Sequence, residues 1–463
     1  MYNDQHKLSM LIHPEFKKAC GKSINVDPYY RGKYKYLKEH GFFQKNTPAN
    51  FDGVIDESMV NDSIIQTQQI TFEVTDHCNL KCSYCSFKEL YEGFDERNQK
   101  NINTRQAIKL LKYIFDLKHK NRNNKLIIGF YEGEPLLNIK FIKKIIEVVN
   151  QLKSKKEIGI SYAMTTNATL IHKYIDFLVA NKFMLLISLD GNEANHSYRV
   201  FRKNNQNSFQ TVIENVDMIQ RDYPKYFDTY VNFNAVLHNR NSVKEIYEFI
   251  YSRYHKFPRI AELSSDNINP EKKDCLGRMF HRKRKSEAEY QKEENNLLPH
   301  SELLLFKDLT DFLKQHSINY YVSNITASLH SKTFFLPTGT CLPFQKKMYL
   351  TNRNKLLPCE RINFKYSIGK VEKNVLIDIP EIVRQYNFYY EHLKKVCKSC
   401  YSYRYCGLCM FRINNLDKLD TEKLVCDWYY DRKTFQNKLC RIFSFLEKHP
   451  NDFYHIIEDV TFL

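Results

Sequence analysis

From residue 68 onward the chain repeats one unit, an apolar run of five to eight residues followed by an amphipathic stretch. The runs are Gln69–Thr75, Lys125–Tyr131, Ile158–Thr165, Phe183–Leu189, Thr229–Val236 and Arg259–Leu263, with stretches such as Phe141–Val149 and Val243–Ile250 between them. Strands alternating with helices predict βα units and a parallel sheet. Six such units predict an α/β fold, an open or partial (β/α)6 barrel. Active sites of parallel barrels sit where strands end and βα loops begin. The first strand runs directly into Thr75-Asp-His-Cys-Asn-Leu-Lys-Cys-Ser-Tyr-Cys-Ser86, so Cys78, Cys82 and Cys85 stand at such an end.

With 463 residues the chain exceeds what one core usually covers, and 43% hydrophobic residues suffice to bury a large one. The expected division is an accessory segment at 1–66, the barrel at 67–320, a Cys-rich region at 321–430 and a helical tail at 431–463. In the leading segment, after an apolar stretch at Leu8–Ile12, Tyr30, Tyr34 and Leu37 fall at helical spacing and Gly41 is a plausible stop. The segment reads equally as a small module or as an extension packed on the main domain. Residues 265–300 are polar and interrupt the alternation before a helix near Leu303–Leu309. No apolar run reaches 18 residues and the start lacks signal-peptide character, so the chain reads as soluble and cytoplasmic, with no membrane partner.

A net charge of +17 favours an acidic partner through long-range steering. The dense basic run, His281–Lys285, is followed at once by Glu287, Glu289, Glu293 and Glu294 and reads as a solvated, mixed-charge helix or loop.

Ten of the thirteen cysteines cluster, which favours metal over disulfide in a chain without an export signal. Cys20, Cys275 and Cys440 are isolated and read as buried or surface thiols. Three thiolates in a loop as short as Cys78–Cys85 can ligate a four-iron cluster and leave its fourth iron open. A zinc knuckle is the alternative, but His77 is too close to Cys78 to serve as a fourth ligand easily.

Cys-x3-Cys-x-aromatic-Cys resembles the signature of the radical S-adenosylmethionine enzymes. The resemblance implies a [4Fe-4S] cluster on Cys78, Cys82 and Cys85 whose open iron binds the methionyl group of S-adenosylmethionine, and one-electron cleavage to a 5′-deoxyadenosyl radical. Tyr131-Glu-Gly-Glu-Pro135 resembles the family's Gly-Gly-Glu-Pro motif, with Glu132 where the first glycine is usual. By that resemblance Gly133 and Glu134 lie where the methionyl ammonium binds. Thr166-Asn-Ala-Thr-Leu170, Ser188-Leu-Asp-Gly191 and Asn195-His-Ser-Tyr-Arg199 look like further elements of peptide-modifying members, with Ser197 where the last usually has Asp. They imply that Ser188 and Arg199 contact the cofactor's ribose or carboxylate and that Tyr84 lies beside the adenine. Asp190-Gly191 reads otherwise as a tight turn.

Seven cysteines follow at 341, 359, 397, 400, 406, 409 and 426. The pattern is similar to the SPASM extension, which implies two auxiliary [4Fe-4S] clusters and so three in all. On that template Cys341, Cys359 and Cys409 hold the first, and Cys397, Cys400, Cys406 and Cys426 the second. The template's early cysteine is missing from Phe334–Thr340, which leaves the first auxiliary cluster an open iron, Cys275, or a substrate thiolate. Zinc is the rival content, since Cys-x2-Cys pairs are its habit. Cys406-Gly-Leu-Cys409 and Pro358-Cys-Glu-Arg361 look like maturases of Cys-rich ribosomal peptides. Glu360 stands where a sulfatase-activating enzyme carries a basic Asp. It acts as a base if burial raises its pKa, or it pairs with Arg361 or Lys365.

The resemblance thus implies a radical enzyme that modifies a ribosomally made precursor peptide, forming a thioether or another cross-link. A reducing partner such as flavodoxin or ferredoxin would supply electrons, and residues 1–66 would be a candidate leader-peptide module. Nucleic acid is not an expected partner. The rival readings are a sulfatase-activating enzyme that makes formylglycine, and a non-catalytic iron–sulfur or zinc protein that binds RNA.

Overall fold

The computed structural model describes residues 12–21, 23–43, 51, 53–118, 125–153, 158–293, 297–312, 336–403 and 406–451, with the backbone of 2–3 and 8–9. The expected boundary at 320/321 and the end of the tail lie outside the described residues, as do Met10, Leu11, Glu294, Phe334 and Phe335.

Each expected barrel strand is present. In chain order these are β1 (Gln69–Glu73), β2 (Lys125–Tyr131), β3 (Gly159–Thr166), β4 (Met184–Ser188), β5 (Val231–Leu237) and β6 (Arg259–Glu262). Each pairs in parallel with the next. Parallel neighbours need a crossover, and helices such as Thr104–Lys118 and Ile139–Lys153 supply it. The first buries Leu110, Leu111, Ile114 and Phe115 and the second Ile142, Ile145, Ile146 and Val149. Full burial of each aliphatic side chain contributes roughly 1.5–3 kcal/mol, so these faces clamp the helices to the sheet.

The sheet does not stop at β1. A strand β7 (Met348–Leu350) pairs in parallel with it, Thr71 opposite Tyr349, and β8 (Lys355–Leu357), β9 (Gly369–Val371) and β10 (Val375–Leu376) follow as an antiparallel meander. The result is one ten-stranded sheet in the order β10-β9-β8-β7-β1-β2-β3-β4-β5-β6. The Cys-rich region therefore continues the barrel's own sheet. Asn354, at φ 63°, turns β7 into β8, a conformation asparagine tolerates better than most residues.

The leading segment contains the expected helix as Pro28–Glu39, capped by the Asp27 carboxylate, which accepts from Tyr29 N at 2.8 Å. It buries none of its own residues; Tyr34 packs instead between Phe16 and Phe43. The 265–300 excursion forms helices Lys273–Met279 and Lys283–Tyr290. The basic run is solvated, with Arg282, Arg284 and Lys285 exposed, while the helix it opens buries Ser286, Glu287 and Tyr290. Its cations pair locally, Lys283 with Glu287 at 3.6 Å and Arg284 with Asp308 at 2.7 Å. No described helix is long and apolar enough to cross a membrane.

Candidate active site

The loop after β1 is held by the loop after β2. Gly133 has φ +56°, and a Cβ there would lie 2.2 Å from His77 O and 2.4 Å from Thr75 O, so glycine is required for this approach. Glu134 N then donates to His77 O at 3.0 Å, immediately before Cys78. Within the loop Leu80 N lies 3.4 Å from Cys78 Sγ and Asn167 Nδ2 lies 3.7 Å from it.

Burial pushes the Cys78 thiol up to about 12 and the Cys82 thiol to about 11. Charge on the neighbouring thiols adds to both shifts, Cys82 and Cys85 acting on Cys78 and Cys85 on Cys82. Cys78 and Cys82, adjoining thiols that resist ionisation, are donors whose charge a bound cation would take up. As the side chains stand, no group of three or more His, Cys, Asp or Glu among the described residues is arranged to hold a metal ion.

Glu134 is fully buried, and its carboxylate accepts from Thr166 Oγ1 and Asn167 N, each at 2.8 Å, and from Leu136 N at 3.2 Å. Burial nonetheless raises it to about 7. It fastens the end of β2 to the end of β3, beside Cys78.

The loop after β4 carries the best-connected carboxylate of the site. Asp190 is fully buried and takes a two-point ion pair from Arg199, Nε to Oδ2 at 2.8 Å and Nη2 to Oδ1 at 3.0 Å. Val236 N donates to Oδ1 at 2.9 Å, and Tyr84 OH donates to Oδ2. Burial alone would raise this carboxyl; the guanidinium overrides it and holds the group well below the usual range. Arg199 also lies 5.4 Å over the Tyr84 ring, which stacks on His238 at 5.5 Å. The turn reading of Asp190-Gly191 is thus incomplete, since Asp190 also anchors both Tyr84 and Arg199.

Ser188 ends β4, nearly buried, and its hydroxyl has no partner among the described residues. His196 is buried with Nδ1 accepting from Asp190 N at 3.3 Å and Nε2 3.1 Å from Ser208 Oγ. Burial lowers it to about 3, so it is neutral.

Glu132, where glycine was expected, adopts φ 64°, the left-handed conformation that favours glycine. The side chain explains the departure. Its carboxylate pairs with Arg97 at 3.2 Å and accepts from Tyr349 OH of β7. Arg97 in turn donates to Asp76 O at 3.0 Å, at the root of the cysteine loop. Burial, reinforced by Glu73 beside it, raises Glu132 well above the usual carboxylate range.

Glu360 corrects an expectation. Burial would raise it, but Lys347 Nζ bonds both its oxygens, at 2.8 and 2.7 Å, and with Arg361 holds the carboxyl below its ordinary value. The condition for a base with a raised pKa is not met. Lys365 pairs with Asp417 at 2.7 Å instead. Tyr131, at the end of β2, has Glu360, Glu132 and Cys85 as charged neighbours, which with burial push its phenol up. Tyr131 thus feels charge from both the cysteine loop and the Cys359-Glu360 turn.

The later cysteines fall into two neighbourhoods. Cys397 is pushed up to about 12 by burial and then by Cys406, Cys400 and Cys426. Burial and then Cys341 raise Cys409. Cys359, pushed to about 12 by burial, has Glu360, Lys347 and Arg361 among its charged neighbours. Cys275 packs in a separate apolar cluster with Tyr84, Leu90, Tyr91 and Cys82.

The Cys78–Cys85 loop at the end of β1, backed by the loops after β2 and β4, sits where parallel α/β enzymes place their sites. Residues 72–250 match the radical SAM superfamily and form a radical SAM domain. The chain is 24% identical over 338 residues to the cysteine-type anaerobic sulfatase-maturating enzyme of Clostridium novyi (strain NT), covering 71% of this chain and 84% of that one. It is 25% identical over 179 residues to the radical SAM cyclopropyl synthase TigE of Paramaledivibacter caminithermalis, 37% of this chain and 36% of that. The solved structure of native anSMEcpe with bound AdoMet and Cp18Cys peptide shares the fold, with TM-score 0.53 and 20% identity over 83% of this chain and 99% of that one.

Proposed function

We propose that the chain is a peptide maturase that joins a side chain of a ribosomally made peptide to another of its atoms, a thioether being the favoured product. The observation that carries the reading is that Tyr131 is buried with both Cys85 and Glu360, the residue next to Cys359, among its charged neighbours. A substrate side chain entering there meets both cysteine regions at once.

Cys78, Cys82 and Cys85 would hold the first cluster, with Gly133, Glu134, Ser188, Arg199 and Tyr84 around S-adenosylmethionine. Bound together, cluster and cofactor supply the radical that removes a substrate hydrogen. The protein's part is orientation. Glu134 locks the β2 and β3 ends, and Asp190 fixes Arg199 and Tyr84, leaving the Ser188 hydroxyl for a ligand. Cys397, Cys400, Cys406 and Cys426 would form one auxiliary site. Cys341, Cys359 and Cys409 would form the other, one thiolate short of four, where a substrate thiolate fits. Glu360, ionised by Lys347, serves as a fixed hydrogen-bond acceptor for substrate, and residues 1–66 would grip a leader sequence.

The second reading, a formylglycine-generating enzyme, is favoured by the likeness to the Clostridium novyi protein. Mass spectrometry after anaerobic turnover separates the two, with the Cp18Cys peptide and a Cys-containing peptide encoded beside the gene as substrates. A cross-linked product loses two hydrogens and keeps its sulfur. Exchange of sulfur for oxygen in either peptide would replace the cross-linking reading with the second.

A further inference from the structure

The helix Ile379–Cys397 leads from the C-terminal meander to the later cysteines, and Tyr386, Tyr390 and Leu393 share its buried face at helical spacing. Tyr386 and Tyr390 are fully buried, and neither hydroxyl has a hydrogen-bond partner among the described residues. Other buried phenols of the fold have one: Tyr226 OH donates to Phe183 O at 2.6 Å and Tyr254 OH to Asp217 Oδ1 at 2.9 Å. On the same helix Tyr389 OH accepts from Gln385 Nε2 at 3.3 Å. A buried hydroxyl without an acceptor is costly, so two of them on successive turns mark a place where some further group takes their hydrogens.

Cys341 and Cys409 are the cysteines beside them. Gly339 N donates to Leu408 O at 3.0 Å and Met410 N to Thr340 Oγ1 at 2.8 Å, so residues 339–341 run along 408–410 and bring Cys341 into the charged surroundings of Cys409. Phe411, two residues beyond Cys409, meets the Tyr386 ring edge-on at 5.6 Å, and the Tyr390 ring lies 6.2 Å from that of Tyr386. Burial pushes both phenols up, and charge on Cys409 and Cys341 adds to it, so both keep their hydrogens. Asn387 pins the helix between them, accepting from Ile55 N at 2.9 Å and donating to Ile55 O at 2.8 Å. Tyr247, the other described phenol without a partner, has Tyr251, Tyr290 and Glu302 as its charged neighbours and no cysteine among them.

We propose that Tyr386 and Tyr390 are positioning residues that donate hydrogen bonds to sulfur of the centre held by Cys341, Cys359 and Cys409, an inference that rests on the reading above that these cysteines bind an iron–sulfur cluster. The fit is chemical: the phenols have hydrogens without acceptors, and metal-bound thiolates are charged acceptors. Hydrogen bonds to sulfur offset the negative charge of such a centre and raise its potential. That direction suits a thioether product. When a substrate carbon radical and a thiolate close a carbon–sulfur bond, one electron is left over, and a centre of raised potential accepts it and is reduced by one electron.

The test reconstitutes the full chain anaerobically with iron and sulfide and follows, by redox titration monitored by electron paramagnetic resonance, the signal that is lost in Cys409→Ala. Tyr386→Phe and Tyr390→Phe keep the rings and remove only the hydroxyls. Each should move that signal to lower potential, and the double variant further, with iron content equal to wild type, while Tyr247→Phe leaves the potential in place. Pulsed measurements after exchange into heavy water should show deuterium coupled to the same centre in wild type, and weaker coupling in the double variant. Unchanged potentials, an equal shift in Tyr247→Phe, no coupled deuterium in wild type, or iron lost from the phenylalanine variants, as for a phenolate ligand, would each overturn the hydrogen bonds. A Cys409→Ala protein with the full wild-type iron content and signals would instead overturn the reading of a cluster at these cysteines.

Discussion

Glu132 and Tyr349 join by a hydrogen bond across the seam where the barrel's first strands meet the C-terminal meander. With Arg97 on the other side of Glu132, the contact ties the cysteine loop to the hairpin that bears Cys359. Replacing Glu132 leaves Arg97 without its buried partner, so Glu132→Ala should cost about 3–5 kcal/mol of stability. Glu132→Gly should cost about 1 kcal/mol less than the alanine change, because glycine adopts the left-handed backbone without strain. Urea denaturation of the two variants checks the order; an alanine variant as stable as the glycine one would remove the strain argument.

Asp190→Asn should break the two-point pair with Arg199 and weaken the hold on Tyr84. A loss of about 3–5 kcal/mol is expected, as for other buried pairs deprived of one partner. Arg199→Lys should not restore it, since an ammonium cannot reproduce the fork. Thermal or chemical unfolding of each variant measures this, and a lysine variant of wild-type stability would contradict it.

The six barrel strands were legible because each is a run of five to eight mostly apolar residues in a repeating unit. Strands β7 to β10 were not, since two or three residues carry no period. The same gap hid Lys347. Once β7 and β8 pair with Leu357 opposite Tyr349, residue 347 comes alongside the Cys359-Glu360 turn, but no local pattern announces that register. The close spacing of Cys78, Cys82 and Cys85 was plain in the sequence, whereas the grouping of the later cysteines rested on the likeness to the SPASM extension. What escaped was the buried charge that serves them, Asp190, Glu132 and Arg97, whose partners lie 9 to 217 residues away in the chain.

His196 gives a pH signature with a definite sign. Burial lowers it from 6.5 to about 3 in the fold. Between those values the unfolded chain binds a proton that the native state does not, so its contribution to stability falls as pH falls through that window. His196→Asn should flatten the slope of stability against pH below about 6.5. An unchanged slope in the variant would show that another group governs it.

Lys347 sets the charge of Glu360, so its removal should let burial act unopposed. In Lys347→Met the carboxyl should rise from below its ordinary value, moving the acid limb of the pH–rate profile to higher pH than in wild type. Coincident profiles would show that Glu360 takes no part in turnover.

The most direct measurement is 5′-deoxyadenosine produced anaerobically by the iron–sulfur-reconstituted protein with S-adenosylmethionine and dithionite. It should accumulate with wild type and be absent when Cys78, Cys82 and Cys85 are all changed to Ala. Failure to form with the reconstituted wild type, or equal amounts from both proteins, would contradict the assignment of radical chemistry to this loop.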